Sequence, residues 1–466
     1  MKRLLFLVIF ILIGVFILTG CSPEDIAQLI PGSSAESAEV REIESAYLND
    51  AGELILRYSD GSSQNVGRVV GEDGKDGADG KNGKDGADGR DGEKGERGDI
   101  GADGSDGAVI IDSSLTDITY AASKGLRSAV SVYAGFRAAN GKDYSAVGAG
   151  VIYSLDKAAG DAYVITNYHV VYNSIGVTDI GNDNISDNIR VYLYGNEYSD
   201  NRIPATYIGG SRYYDIAILK ISGSPVLTDS DAAAVDFADS NQAILGESVI
   251  AIGNPEGETL SVNGGIISLD STEIMLTPAD DKSAVEIRVM RMDCAVNHGN
   301  SGGGLFNRRG ELIGIVCARS ADSDVIGFGY AVPSAAVSEI AKNVICYYEN
   351  GYTVTDLKKA SLGADFEIES SKGVYSSQDG IIRVVERVVV SQIEAGGAAY
   401  SAGLRVGDEI LSITVGDTKT EITRSFMPGD ILLGAVIGDT VTLEYLRDGN
   451  TCTAVITISA DMISVY

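Results

Sequence analysis

The chain has 466 residues, 44% of them hydrophobic, and a formal net charge of −30. That length suits two or three domains of roughly 150 residues each. The charge excludes a nucleic-acid binder, because neutralising phosphates takes clustered Lys and Arg. An acidic, exported protein is the simplest meaning of the balance.

Lys2 and Arg3 precede an apolar run from Leu4 to Leu18, followed by Leu18-Thr19-Gly20-Cys21. Basic start, short apolar core and small residues read as an export signal over residues 1–20, and the run is short for a membrane span of about 20 residues. The tetrapeptide resembles the bacterial lipobox, which implies cleavage before Cys21 and lipidation of that cysteine. The alternative, an uncleaved signal anchor, also puts the folded part outside the cytoplasmic membrane.

Residues 21–38 are rich in Ser, Ala and Glu and read as a flexible tether. In residues 39–70, strand-like runs at Leu54 to Tyr58 and Val66 to Val70 flank an Asp60-Gly61 turn signal. This is a hairpin-scale β unit, too small to be stable alone. From Gly71 to Gly107 every third residue is glycine. That is the collagen period, required because only glycine fits at the axis of three wound chains. The competing reading is a Gly/Asp-rich linker, and the chain's 8 prolines all lie elsewhere. Lys94-Gly95-Glu96 and Arg97-Gly98-Asp99 place opposite charges where adjacent chains can pair. A triple helix there predicts a trimer on a stalk on the order of 100 Å long.

Residues 115–350 carry short β-branched runs between Gly, Asn, Asp and Pro turns, which predicts an all-β barrel or sandwich. The series closes on a helix with Ser334 as its cap. Val337, Ile340, Ala341, Val344, Ile345 and Tyr348 form its apolar face, and Gly351 ends it. Residues 356–461 read as a smaller α+β domain. Its strands lie near Ile381 to Ile393, Glu409 to Val415, Thr440 to Arg447 and Cys452 to Ser459, with short helices at Ala398 to Ala402 and Gly429 to Val436.

The stretch Val296 to Asn307, VNHGNSGGGLFN, surrounds Ser301 with glycines. Activating a serine hydroxyl takes an imidazole, and the imidazole takes a carboxylate to fix its tautomer. Glycines let backbone N–H groups converge on a developing oxyanion. Of the 2 histidines, His169 stands where a β-branched run gives way to a loop, and Asp215 opens another strand run. The order His169, Asp215, Ser301 is that of chymotrypsin-type proteases. His298, although nearer in sequence, has no carboxylate in its motif to orient it. It reads as a solvated loop histidine, with pH control of the loop as the lesser alternative.

From about Leu115 to Ala460 these segments resemble the HtrA family of trypsin-like serine proteases, which carry a C-terminal PDZ domain. The motifs are Thr166 to Val170, Asp215 to Lys220, Ala251 to Gly257, Gly265 to Ser268 and Gly299 to Leu305. The resemblance implies a mainly β chain: a chymotrypsin-like double β-barrel, then an α+β PDZ domain, behind the collagen-like triple-helical stalk. It makes His169 the general base, Asp215 its orienting carboxylate and Ser301 the nucleophile, with the N–H groups of Gly299 and Ser301 as oxyanion hole. Gly327, Phe328 and Gly329 would line the pocket for an apolar substrate side chain. Leu362, Gly363 and Ala364 would receive a peptide C-terminus, the peptide adding as a strand beside Asp365 to Ile368. The family often has proline where His298 and Gly304 stand, which suggests a more mobile oxyanion loop here.

The remaining cysteines, Cys294, Cys317, Cys346 and Cys452, lack metal-binding spacing and read as small buried hydrophobes. No metal and no cofactor is expected. The expected partners are unfolded or exported protein substrates, peptide C-termini, the membrane through the lipid anchor and two further copies of the chain. The rival readings are a surface adhesin or scaffold that carries a protease-like domain, and a chaperone.

Overall fold

Strands dominate the chain, and they are assembled mainly by antiparallel neighbours close in sequence. The computed structural model describes residues 43–49, 53–58, 61–68, 117–137, 141–173, 184–276, 285–319, 327–352 and 355–465. The expected export signal, Cys21, the expected tether and the G-X-Y repeat lie outside the described residues. The chain divides into two units, Met1–Gly104 and Ser105–Tyr466, each described by itself.

In the first unit β1 (Ile43–Leu48), β2 (Glu53–Tyr58) and β3 (Ser63–Arg68) form an antiparallel meander. Gly61 makes the β2–β3 turn with φ +84°, a left-handed conformation that glycine adopts without a Cβ penalty. The sequence pattern revealed β2 and β3 but not β1.

The second unit opens with α1 (Asp117–Leu126), an element the strand pattern does not announce. Six strands then close the first barrel: β4 (Ala129–Arg137), β5 (Asp143–Asp156), β6 (Asp161–Thr166), β7 (Asn188–Leu193), β8 (Ile203–Ser211) and β9 (Ile216–Ile221). Their order is β8-β7-β4-β5-β6-β9, and β8 pairs with β9 to complete the ring. The second barrel contains β10 (Ser248–Gly253), β11 (Ser261–Leu276), β12 (Val285–Met292), β13 (Gly304–Asn307), β14 (Leu312–Arg319) and β15 (Gly329–Pro333). It closes in the order β10-β11-β12-β15-β14-β13. Val132, Val164, Ile203 and Leu219 belong to the core of the first barrel. Val249, Met290, Met292 and Leu305 belong to that of the second. A third cluster, with Ile165, Ile252 and Phe306, joins the two barrels. Burying such side chains stabilises each by roughly 1.5–3 kcal/mol, which holds the inter-barrel loops in fixed relation.

Two tiny helices, α2 (Tyr168–Val171) and α3 (Pro225–Thr228), leave the ends of β6 and β9. The longer α4 (Ser334–Glu349) buries Val337, Ile340, Ala341, Val344 and Ile345 as its spacing predicts, but Tyr347 rather than Tyr348 is the buried tyrosine. Ser334 is not its side-chain cap. The Ser334 hydroxyl donates to the Ala238 carbonyl at 2.7 Å, while the Ala335 N–H donates to Ser240 Oγ at 3.0 Å. A side chain from a remote segment therefore serves one of the helix's first orphan donors.

Beyond α4, β16 (Thr355–Asp356) adds in parallel to β8. Next come β17 (Lys358–Ala360), β18 (Ala364–Ser376), β19 (Ile381–Ile393), α5 (Ala398–Ser401), β20 (Glu409–Val415) and β21 (Thr418–Glu421). Then follow α6 (Met427–Leu433), β22 (Thr440–Arg447), β23 (Asn450–Thr457) and β24 (Ile463–Val465). The main sheet runs β18-β19-β20-β22-β23, with β21 on β20, and β24 pairs with β17. The helix expected at Gly429 to Val436 starts earlier because Pro428 occupies its first turn, where a fixed φ and missing N–H cost nothing. This half meets the second barrel through Arg288, paired with Asp430, and through Arg424, paired with both Asp270 and Glu386.

Candidate active site

His169 lies on α2 directly after Tyr168, and the buried Thr166, which ends β6, and Asn167 lead into it. Asp215 precedes β9 and is 4% exposed. Its backbone is left-handed, φ +52°, an uncommon state for a residue with a Cβ. The neighbourhood fixes it: Asn167 Nδ2 donates to the Asp215 carbonyl at 2.7 Å and the Tyr168 N–H donates to the same carbonyl at 3.2 Å. So restrained, the carboxylate takes His169 with both oxygens. Oδ1 accepts from the His169 N–H at 3.0 Å, and Oδ2 stands 2.7 Å from Nδ1.

The imidazole keeps 40% of its side-chain surface exposed, so its free edge is accessible. The protein packed around the ring works against its charged form, but the Asp215 charge and hydrogen bond outweigh that. The His169 pKa therefore lies above the ordinary histidine value.

Ser301 is carried by the second barrel but seated on the first. The Ala149 N–H of β5 donates to the Ser301 carbonyl at 2.8 Å. Gly302 has φ +83°, and a Cβ there would lie 2.2 Å from the Ala149 carbonyl and 3.0 Å from the Asn167 nitrogen. This close approach, open only to glycine, sets the serine turn against the segment that leads into His169. Among the described residues the Ser301 hydroxyl makes no hydrogen bond, to His169 or to any other group.

Within the same turn the Asn300 N–H donates to Asn297 O, Gly302 N–H to Val316 O and Gly303 N–H to Asn300 O. Among the described residues, the N–H groups of Gly299 and Ser301 are spent on no such bond. These are the two donors that the family resemblance implies. The His298 carbonyl accepts from the Glu256 N–H at 2.9 Å, and the Gly299 carbonyl from the Asn254 N–H at 3.1 Å. The His298 side chain is exposed, and Asp215 contacts His169 through both carboxylate oxygens. Gly304 lies in β13 rather than in the loop, and a Cβ there would come 2.4 Å from the Phe306 ring.

Gly327 is exposed with φ +109°, Phe328 is half-buried and Gly329 is buried opposite Met292 in β12. The Arg291 guanidinium lies over the Phe328 ring, 4.6 Å from its centre. A Cβ on Gly329 would meet Val296 at 2.5 Å and Met292 at 3.0 Å, so these side chains press on the strand that bears the candidate pocket. Cys294 is buried nearby. Burial, then the Asp293 carboxylate, raise its thiol pKa to about 11. All four described cysteines are unpaired with one another. Among the described residues no group of three His, Cys, Asp or Glu is placed to hold a metal.

In the C-terminal half Leu362 is buried, Gly363 has φ +71° and Ala364 begins the outer strand β18. Asp365 to Ile368 therefore run along a sheet edge. The Gly363 N–H donates to Ser361 Oγ at 3.3 Å, and Glu394 Oε2 lies 3.2 Å from where a Gly363 Cβ would stand. The Glu394 carboxylate thus borders the loop expected to take a peptide carboxylate. Asp408, 2% exposed, closes the turn from Gly403 by accepting Arg447 Nε at 2.7 Å, Arg447 Nη2 at 2.6 Å and the Arg405 N–H at 2.8 Å.

Three contributors escaped the sequence reading. Asn254 and Glu256 lie in a motif noticed only for its resemblance, and Tyr133 lies on β4, a strand not recognised at all. Asn254 and Glu256 hold the serine turn from a distant segment of the second barrel, and the Tyr133 contacts with Asn254 and Gly257 cross the barrel interface, so no local pattern encodes them.

Two closed barrels, with an Asp-bound histidine on one and a glycine-rich serine turn on the other, define a trypsin-like serine peptidase. The description "Trypsin-like peptidase domain" matches residues 148–315, and "PDZ domain" matches residues 360–458. The chain is 34% identical over 332 residues to the serine protease Do-like HtrA of Lactococcus lactis subsp. cremoris, covering 69% of this chain and 72% of that protein. It is 33% identical over 317 residues to the serine protease Do-like HtrA of Bacillus subtilis, covering 66% of this chain and 62% of that one. A solved HtrA-type protease, AlgW with a decapeptide, aligns at 23% identity and a TM-score of 0.44, covering 74% of this chain and 98% of that one. The chain belongs to the HtrA family and is a serine endopeptidase with a PDZ domain.

Proposed function

We propose that Ser301 is the nucleophile, His169 the general base and Asp215 the carboxylate that orients it. The two-point grip of Asp215 on His169 carries this reading. With Nδ1 committed to Asp215, Nε2 is the nitrogen left to take the Ser301 proton. Ser301 Oγ then attacks the substrate carbonyl carbon, and the negative oxygen is received by the N–H groups of Gly299 and Ser301. His169 returns the proton to the leaving amine, which departs and leaves an acyl-enzyme. Water, deprotonated by the same Nε2, releases the acyl group. Gly327, Phe328 and Gly329 would border an apolar side-chain pocket.

On the same reading the enzyme works outside the cytoplasmic membrane, held to it through lipidated Cys21, on unfolded or mislocalised exported proteins. The loop Leu362-Gly363-Ala364 would take peptide C-termini. The G-X-Y repeat supports a homotrimer, since a triple helix demands three chains. The domain limits read from the sequence belong to the same proposal.

Casein cleavage tests the assignment: His169→Ala should abolish it and His298→Ala should leave most of it. The reverse pattern would reject His169 as base. Sedimentation with and without residues 39–107 tests the trimer, which a monomer in both cases would refute.

A further inference from the structure

We infer that Tyr133 is a positioning residue for the oxyanion hole, acting through the turn Asn254–Gly257. The inference rests on the proposed role of the Gly299 and Ser301 N–H groups. An oxyanion hole fails if the peptide before its glycine rotates, because the N–H then turns away and a carbonyl replaces it. Here the carbonyls of His298 and Gly299 are both held by one short segment, through the N–H groups of Glu256 and Asn254 at 2.9 and 3.1 Å. The grip is close: a Cβ on Gly299, whose φ is +97°, would stand 2.0 Å from the Asn254 carbonyl.

The turn that grips the serine loop is itself restrained from the other barrel. Glu256 has a left-handed φ of +60°, which a non-glycine residue keeps only where its surroundings impose it. The Tyr133 hydroxyl supplies that imposition twice, donating to the Gly257 carbonyl at 2.9 Å and accepting from Asn254 Nδ2 at 3.3 Å. Asn254 is fully buried, and its Oδ1 has no hydrogen-bond partner among the described residues, so this bond is its side chain's one tie there. Val147, cross-strand neighbour of Tyr133, backs Gly257 at 3.3 Å from where its Cβ would be. The Tyr133 ring is independently set by an edge contact with Tyr192, centroids 5.3 Å apart at 78°. One phenol of the first barrel thereby fastens the turn of the second barrel that aims the donors.

The test is Tyr133→Phe in the full-length chain, because the ring and its Tyr192 contact survive and the hydroxyl alone is lost. The variant should lower kcat on labelled casein roughly 10-fold, less than the loss from deleting an oxyanion donor outright. KM and the acid limb of the pH–rate profile should stay at wild-type values, because Asp215 and His169 are untouched, while the melting temperature should fall modestly because the buried Asn254 amide loses its partner. Unchanged kcat, or a loss accompanied by a displaced acid limb, would overturn the inference. Hydrogen exchange over residues 296–303, read in a Ser301→Ala background, needs no turnover. Faster exchange with Tyr133→Phe supports the inference and equal exchange refutes it. If wild type itself does not react with a serine-directed probe at Ser301, the proposed catalytic role fails instead.

Discussion

Asp215 engages His169 at two points, the backbone N–H through Oδ1 at 3.0 Å and ring Nδ1 through Oδ2 at 2.7 Å. A carboxylate so placed fixes the tautomer of the ring and favours its charged form. Replacing it with an amide should misdirect the tautomer, and Asp215→Asn should lower kcat by roughly 10⁴-fold. Steady-state casein hydrolysis checks this. A loss below 10-fold would remove Asp215 from the proposed triad.

The pH dependence follows from the sign of the His169 shift. Its pKa is raised, so the neutral ring needed as base is lost at a higher pH than in an ordinary histidine, whose value is about 6.5. Activity should rise through an acid limb above that value and then level off. In Asp215→Asn the residual limb should move to lower pH, because the carboxylate that favours the charged ring is gone.

Glu394 stands beside the loop proposed to receive a peptide C-terminus, with Oε2 3.2 Å from the Cβ position of Gly363. Two carboxylates repel, so Glu394→Gln should tighten binding of short apolar C-terminal peptides several-fold, and more at low salt. Titration onto full-length Ser301→Ala protein measures it. Unchanged affinity would place the peptide carboxylate elsewhere.

Arg288 and Asp430 form a nearly buried pair, with 10% and 11% of their side chains exposed, and Arg288 also lies 3.8 Å above the Phe426 ring centre. Removing Arg288 leaves the Asp430 carboxyl, which burial pushes above its ordinary pKa, without its ion-pair partner. Arg288→Ala should therefore cost about 3–5 kcal/mol, seen as a lowered melting temperature. Replacing both by apolar residues of similar size should cost less.

Cys294 and Cys317 are buried, and burial followed by the Asp293 charge raises the Cys294 thiol to about 11. Iodoacetamide at neutral pH should leave both unmodified in the folded protein while denaturant exposes them. Rapid native labelling of Cys294 would contradict its buried, protonated state.

The sequence was most legible where one short segment carries its own signal. β20 and β22 alternate or cluster apolar residues between turn residues and appear at Glu409–Val415 and Thr440–Arg447 as their spacing predicts. Ser301 and His169 stood out because glycine crowding and a β-branched strand end are local marks, and of the carboxylates the structure sets Asp215 against His169. Ser334 misled, because a serine before an apolar helical face is an ordinary cap unless a remote residue, here Ser240, supplies the oxygen. Tyr133 was silent for a related reason: its two hydrogen bonds span more than 120 positions and depend on how two barrels dock. The long β18–β19 hairpin was half read, since a register shift at Glu369 interrupts it and the polar residues Ser370 to Lys372 pair beyond it without a buried face to reveal them.

The most direct measurement is labelling of the purified full-length chain with a fluorophosphonate probe, followed by mapping of the modified residue. Wild type should label at Ser301, His169→Ala should label far more slowly and Ser301→Ala should not label at all. Absence of labelling in wild type, or undiminished labelling in His169→Ala, would contradict a Ser301 nucleophile activated by His169.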